Sequence, residues 1–234
     1  MYPGFYYMFD PTYILIIIGA LLSLFASARV RSTFSRYSSV RTLRGVTGAE
    51  AADMILRQAG IYDVKIQHIS GDLTDHYDPS SKVLRLSDSV YGSTSVAAVG
   101  VAAHECGHAI QDAEGYAPLR IRGSLVPVCN IGATLSWPLI ILGVILSWNQ
   151  TLIQIGIILF TVVVAFHLIT LPVELNASSR ALKILSYTGI LHGDENDEAK
   201  KVLSAAALTY VASAAGMILQ LLRLVILFGG RRDD

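Results

Sequence analysis

The chain has no net charge: 18 lysines and arginines offset 18 aspartates and glutamates over 234 residues. Without a basic surplus there is no electrostatic footprint for nucleic acid, and no nucleic-acid partner is expected. Cysteine is nearly absent. The 2 that occur, Cys106 and Cys129, do not make the disulfide framework of a small secreted scaffold. Free thiols suit a reducing compartment. There is no low-complexity tract, solenoid repeat or phosphate-cradling glycine loop, and no inverted repeat of the kind that builds transporters. Apolar residues, by contrast, are in excess. They make up 53% of the chain, with a mean hydropathy of +0.51, too apolar for an ordinary soluble domain.

Long apolar runs account for the excess. Residues 14–28, extended upstream by Thr12 and Tyr13, are long enough to cross a bilayer with some thinning. No basic residue precedes them, and Tyr2, Phe5, Tyr6, Tyr7 and Phe9 crowd their N-terminal side, as an interfacial belt on a retained anchor would. Arg29, Arg31, Arg36, Arg41 and Arg44 follow, which by the positive-inside rule puts the N-terminus outside and the next domain in the cytosol. Residues 125–148 and 152–171, linked by Asn149 and Gln150, predict a helical hairpin with kinks at Pro127 and Pro138. A hairpin returns the chain to the side it left, where Arg180, Lys183, Lys200 and Lys201 agree with a cytosolic face. Residues 202–228 suit a fourth membrane helix, although Gln220 and Arg223 interrupt them. A full crossing there places Arg231 and Arg232 outside, against the rule, and Asp233 and Asp234 do little to offset it.

The most informative segment is His104-Glu105-Cys106-Gly107-His108, which spells H-E-x-x-H. On a helix, residues i and i+4 lie one turn apart on one face, so both imidazoles can bind one zinc ion from the same side. Glu105 then stands where it can take a proton from metal-activated water. The small apolar stretch 96–103 predicts a closely packed helix, capped by Ser93, Thr94 or Ser95 and stopped by Gly115. Cys106 points off the histidine face and reads as a small buried residue. Upstream, Thr47-Gly48-Ala49-Glu50 fits a capping box opening a helix that ends near Gly60. Residues 64–69 and 82–86 predict two strands, and residues 75–80 between them predict a polar turn.

A catalytic zinc takes three protein ligands and leaves one position open. Candidates for the third are Glu174, His167, His76, His68 and His192, and Glu174 is the best placed. It follows the third apolar run on the side of the zinc helix and opens a helix after Pro172; a carboxylate at a membrane edge is costly unless paired or metal-bound. The plainer reading pairs it with Arg180 or makes it a helix cap. His167 lies deep in a span, and His192 belongs to an acidic stretch that reads as a helix start.

These segments together resemble the YugP-like membrane zinc metallopeptidases of bacteria. The likeness is carried by Leu73-Thr74-Asp75-His76-Tyr77-Asp78-Pro79, by Ala102 to Gln111 around the motif, and by Leu171-Pro172-Val173-Glu174-Leu175-Asn176-Ala177-Ser178. That family is similar to the gluzincin-type membrane peptidases that include HtpX and the CAAX-processing enzymes, which carry E-x-x-A-D at the third ligand. The resemblance implies that Glu174 is this ligand. The chain departs at Ser178, where the relatives have Asp to orient a zinc histidine, so Asn176 or Arg180 is expected to share the role.

The expected fold is a mainly α integral membrane protein with a zincin-like metallopeptidase core, a small β-sheet or hairpin, and transmembrane helices. Its expected parts are an anchor (1–30), a cytosolic zincin-like region (31–123), a membrane hairpin (124–172), a third-ligand segment (173–201) and a C-terminal membrane helix (202–234). The expected function is a zinc endopeptidase of the cell membrane, one Zn2+ held by His104, His108 and Glu174, Glu105 as the base, acting at the cytosolic face on membrane-proximal or unfolded proteins. An edge strand beside the metal would pair with extended substrate. His76, Tyr77 and Arg180 are candidates to stabilise the oxyanion. The rival is a non-proteolytic membrane scaffold with structural zinc. Beyond the lipid bilayer and protein or peptide substrates, a partner membrane protein or a homo-oligomer stays open, because the small-residue stretches 205–207 and 212–216 suit packing within or between chains.

Overall fold

Among the described residues, four helices are long and apolar enough to cross a membrane, and one short sheet accompanies them. The computed structural model describes residues 10–229. The aromatic belt from Tyr2 to Phe9 and the terminal Arg231, Arg232, Asp233 and Asp234 lie outside the described residues. The chain divides into two compact units. One holds residues 26–120 and 172–209, the other residues 1–25, 121–171 and 210–234.

The first unit is where the sequence builds its core. Helix α1 (Tyr13–Ser38) enters it and continues past the apolar run through the arginines. Helix α2 (Gly48–Gln58) opens on the expected capping box: the Glu50 amide donates to Thr47 Oγ1 at 3.2 Å, and the Thr47 amide donates to Glu50 Oε2 at 2.8 Å. Strands β1 (Lys65–His68), β2 (His76–Asp78) and β3 (Val83–Leu86) form a sheet in the order β1-β3-β2, with β1 parallel and β2 antiparallel to β3.

The sheet corrects the sequence reading, which made residues 75–80 a turn. Their polar composition hides an edge strand, whose short length and one-sided pairing make few demands on side-chain type. After α3 (Asp88–Tyr91) comes α4 (Val96–Ala113), capped by Ser95, whose hydroxyl accepts the Ala98 amide at 3.2 Å. Gly115, at φ +67°, ends it in the left-handed region that glycine tolerates. Ile55, Leu84, Leu86, Val90, Val99, Leu185 and Leu203 form one fully buried cluster around α4.

In the other unit the remaining helices are mostly span. Helix α5 (Ala117–Ile145) contains Pro127 and Pro138, and α6 (Gln150–Tyr187) follows after a tight turn in which Ser147 and Trp148 take positive φ. Asn149 caps α6, its Oδ1 accepting the Leu152 amide at 3.1 Å. Ile140, Phe160, Val164 and Leu224 make a small cluster. Helix α7 (Asp194–Phe228) starts with Asp194, Glu195 and Asp197, which complement its N-terminal dipole as the sequence led us to expect. Arg223, the apparent interruption near its end, has partners: Nη2 lies 3.3 Å from Asp10 Oδ2, Nε donates to Thr12 Oγ1 at 3.1 Å, and the guanidinium stands over the Tyr13 ring. A charge in a span is tolerated when it is paired in this way.

A second correction concerns Pro172. The sequence reading begins a new helix there, but α6 runs through it without a break. A proline removes only one backbone donor, and in a long apolar helix the remaining ladder holds the segment together.

Candidate metal centre

The two histidines of H-E-x-x-H stand on α4, one turn apart in its C-terminal half. Their rings meet edge to face, with centroids 4.9 Å apart. Glu174 comes from α6, and its Oε2 lies 3.2 Å from His104 Nε2 and 3.4 Å from His108 Nε2. One ligand atom from each of the three falls within 4.8 Å of the others. Glu105 and His108 are each 8% exposed, and Glu174 only 2%. A buried carboxylate facing two imidazoles is the donor set of a divalent cation site.

Close approach of two backbones makes this meeting possible. A Cβ on Gly107 would sit 2.5 Å from the carbonyl oxygen of Ala177, on α6. Only glycine fits between the histidines there, and its absence of a side chain lets α6 bring Glu174 and Ser178 to α4.

Hydrogen bonds then fix which imidazole nitrogen faces the centre. Gln111 Nε2 donates to the Val173 carbonyl at 2.9 Å and to Asn176 Oδ1 at 2.9 Å. This sets its amide so that Oε1, 3.0 Å from His108 Nδ1, is the acceptor. Nδ1 therefore carries a proton, and Nε2 is the nitrogen that faces Glu174. His104 Nδ1 lies 3.0 Å from Ser178 Oγ, which leaves its Nε2 turned to Glu174. Asn176 Oδ1 also accepts Arg180 Nε at 2.7 Å, so Asn176 and Arg180 support His108 through Gln111. Arg180 is otherwise held by Glu114, at 2.7 Å, and by the Tyr116 ring. Burial opposes charge on His108, but the hydrogen bond to Glu174 and the charges of Glu105 and Glu174 outweigh it and raise its pKa.

The structure adds a support that sequence reasoning missed. The Tyr77 amide, on edge strand β2, donates to Glu105 Oε2 at 3.0 Å. The Tyr77 hydroxyl donates to Asp112 Oδ2 at 2.8 Å, and Lys82 Nζ lies 2.6 Å from the same oxygen. Burial, then the bond to Asp112, pushes the Tyr77 phenol up. Edge strand and zinc helix are therefore clamped together around Glu105. Gln111 and Asp112 follow His108 at i+3 and i+4, a spacing that marks the same helix face and was the available signal. The link to Lys82 and Tyr77 leaves no local trace.

Other candidates lie elsewhere. His76 Nδ1 bonds the Thr74 carbonyl at 2.8 Å, and its other nitrogen meets Arg85 at 3.3 Å. His68 pairs with Asp88 at 2.6 Å. His167 Nδ1 lies 2.9 Å from the Val163 carbonyl of its own helix. The His192 amide donates to Glu195. Cys106 is fully buried, its thiol directed at the Ala52 carbonyl and its pKa raised by burial, so it is no ligand. Among the described residues no other His, Cys, Asp or Glu joins the three.

Residues 12–229 match the family described as "Putative neutral zinc metallopeptidase". The chain is also 48% identical over 223 residues to the protein named "Putative membrane protease YugP" of Bacillus subtilis (strain 168), covering 95% of this chain and 99% of that one. No solved structure matches it.

Proposed function

Because the chain belongs to this zinc metallopeptidase family, we propose that it is a membrane-embedded zinc endopeptidase. Its substrates are membrane-proximal or unfolded proteins, cut at the cytosolic face. His104, His108 and Glu174 would hold the ion. A zinc bound there supplies Lewis acidity, which makes water a better nucleophile source near neutral pH and a scissile carbonyl more electrophilic. Glu105 takes the proton from the attacking water and delivers it to the leaving amine. The Tyr77 amide holds the Glu105 carboxylate for that task. Beside it, the edge of β2 offers backbone groups to an extended segment, giving affinity with little sequence reading. Such a site admits unfolded or extended chains and excludes tightly folded ones.

The observation that carries this reading is the convergence of three ligand atoms, those of His108 and Glu174 buried and that of His104 partly so, with Glu105 tied to an edge strand. A structural zinc is closed by a fourth protein ligand, and none joins the group among the described residues. The cytosolic assignment rests on Arg29, Arg31, Arg36, Arg41 and Arg44, which lie in the same unit as the site.

The test is cleavage of an unfolded, fluorescence-quenched protein by the detergent-purified enzyme. Glu105→Gln should keep its zinc and lose cleavage by about 10²- to 10⁴-fold. A chelator should abolish cleavage and added zinc restore it. Cleavage retained in Glu105→Gln would remove Glu105 from the mechanism. An inert but zinc-loaded wild type would favour the scaffold reading.

A further inference from the structure

The first unit carries a second feature that peptidase chemistry does not use. Arg29 of α1 and Lys200 and Lys201 of α7 line a cavity of about 480 Å³, together with Asp197, Ser204, Ala205 and Leu208. Three cations face a single acid. Neither Arg29 nor Lys200 forms an ion pair among the described residues, and neither does Asp197. Lys201 only stands over the Tyr37 ring, at 5.9 Å. Three exposed cations gathered around one hollow with a single acid attract an anion.

Position in the chain identifies the anion. Arg29 immediately follows the apolar run 14–28, and Lys200 and Lys201 immediately precede the apolar run 202–228. Both helices change from apolar to charged at this cavity, which is the signature of a membrane–water boundary. The lining repeats that change: basic groups on one part, Ala205 and Leu208 on another, with the Ser204 hydroxyl among them. We propose that this cavity binds the phosphate headgroup of an anionic phospholipid. The cations take the phosphate, Ser204 offers a donor to the headgroup, and Ala205 and Leu208 meet the start of the acyl chains. A free phosphate would satisfy the cations but leave the apolar lining unused.

The site bears on the core through α7. Ala199, next to Lys200, faces Gly100 of α4 at 3.5 Å from its Cβ position, and Val202 packs with Ala97 and Tyr37. A lipid held by Lys200 and Lys201 therefore fastens the helix that backs the H-E-x-x-H helix.

The experiment uses the full chain in discs of phosphatidylcholine mixed with phosphatidylglycerol, with retained lipid identified by native mass spectrometry and affinity read from titration. Phosphatidylglycerol should be retained selectively, and the Lys200→Gln/Lys201→Gln variant should bind it roughly 30-fold more weakly, two juxtamembrane cations being removed. Arg31→Gln, on the same helix as Arg29 but outside the lining, should bind as the wild type does. Zinc content checks that each variant is folded. Equal loss in Arg31→Gln, or no loss in the double variant, would reduce the effect to diffuse surface charge and overturn the site. Inorganic phosphate displacing the lipid at equal affinity would make it a free-anion site and overturn the lipid assignment.

Discussion

The two units of this chain treat the same residue types in opposite ways. In the unit with the candidate metal centre, a core of apolar side chains is sealed: Ile55, Leu84, Leu86 and Val90 are all 0% exposed. In the other, large apolar side chains stand outward: Leu21 is 60% exposed, Ile145 71% and Ile158 63%. Water would not tolerate the second pattern over several helices, whereas a bilayer supplies its solvent. The lesson is that burial identifies the larger core in the first unit, while the second buries only a small cluster around Ile140, Phe160, Val164 and Leu224. In the second, exposed apolar area is itself the structural feature, and the charge of Arg223 within it is paired with Asp10.

The largest effect that would break this comparison comes from closing the gap at Gly107. Gly107→Ala drives a methyl group to 2.5 Å from the Ala177 carbonyl, and neither backbone can yield without moving α6 off α4. Zinc content measured on the purified variant should fall close to zero, taking cleavage with it. Gly100→Ala, on the same helix, meets only the Ala199 methyl at 3.5 Å and should keep its zinc. If both variants load zinc equally, close approach at Gly107 is not what assembles the centre.

That sensitivity also explains what could be read in the sequence and what could not. Local signals were legible. The capping box at Thr47 and Glu50, the Ser95 cap, Gly115 and the one-turn spacing of His104 and His108 each follow from a few neighbouring residues. The place of Glu174 beside the two histidines was legible because a carboxylate at the end of an apolar run demands a reason. Strand β2 was not, since the composition of residues 75–80 is that of a turn; its strand character comes from pairing with β3 and from the Tyr77 amide meeting Glu105. Nor was the continuity of α6, because Pro172 is a local breaker that the rest of a long helix overrides. Gln111 stood in full view beside the motif. Its role depends on Val173 and Asn176, more than sixty positions away in the chain, as about all tertiary networks do.

Truncating matched apolar residues in the two units sharpens the contrast. Leu86→Ala opens a cavity in a sealed core and should cost about 2–5 kcal/mol. Ile158→Ala trims a side chain that meets only surrounding hydrocarbon, before and after unfolding within it, and should stay within about 0.5 kcal/mol. Thermal or denaturant unfolding in one detergent measures both. Comparable losses would mean that Ile158 packs against protein in the working state and that its outward face is an interface.

The smallest effect tests how finely the sealed unit tunes its polar groups. Ser178 Oγ is what the structure offers to His104 Nδ1, where relatives of the resembling class carry a carboxylate. A hydroxyl rotates freely and bears no charge, so it orients the ring more weakly than a carboxylate does. Removing it in Ser178→Ala should lower zinc affinity by about 10- to 100-fold, the usual loss for a partner one bond removed from the metal. Ser178→Asp should match or exceed the wild type, provided the longer side chain fits beside α4. Competition with a metal-buffering chelator reads the difference directly, independently of cleavage. If Ser178→Ala binds zinc as tightly as the wild type, the His104 ring is held by packing alone, and the burial around α4 rather than its hydrogen bonds sets the geometry of the centre.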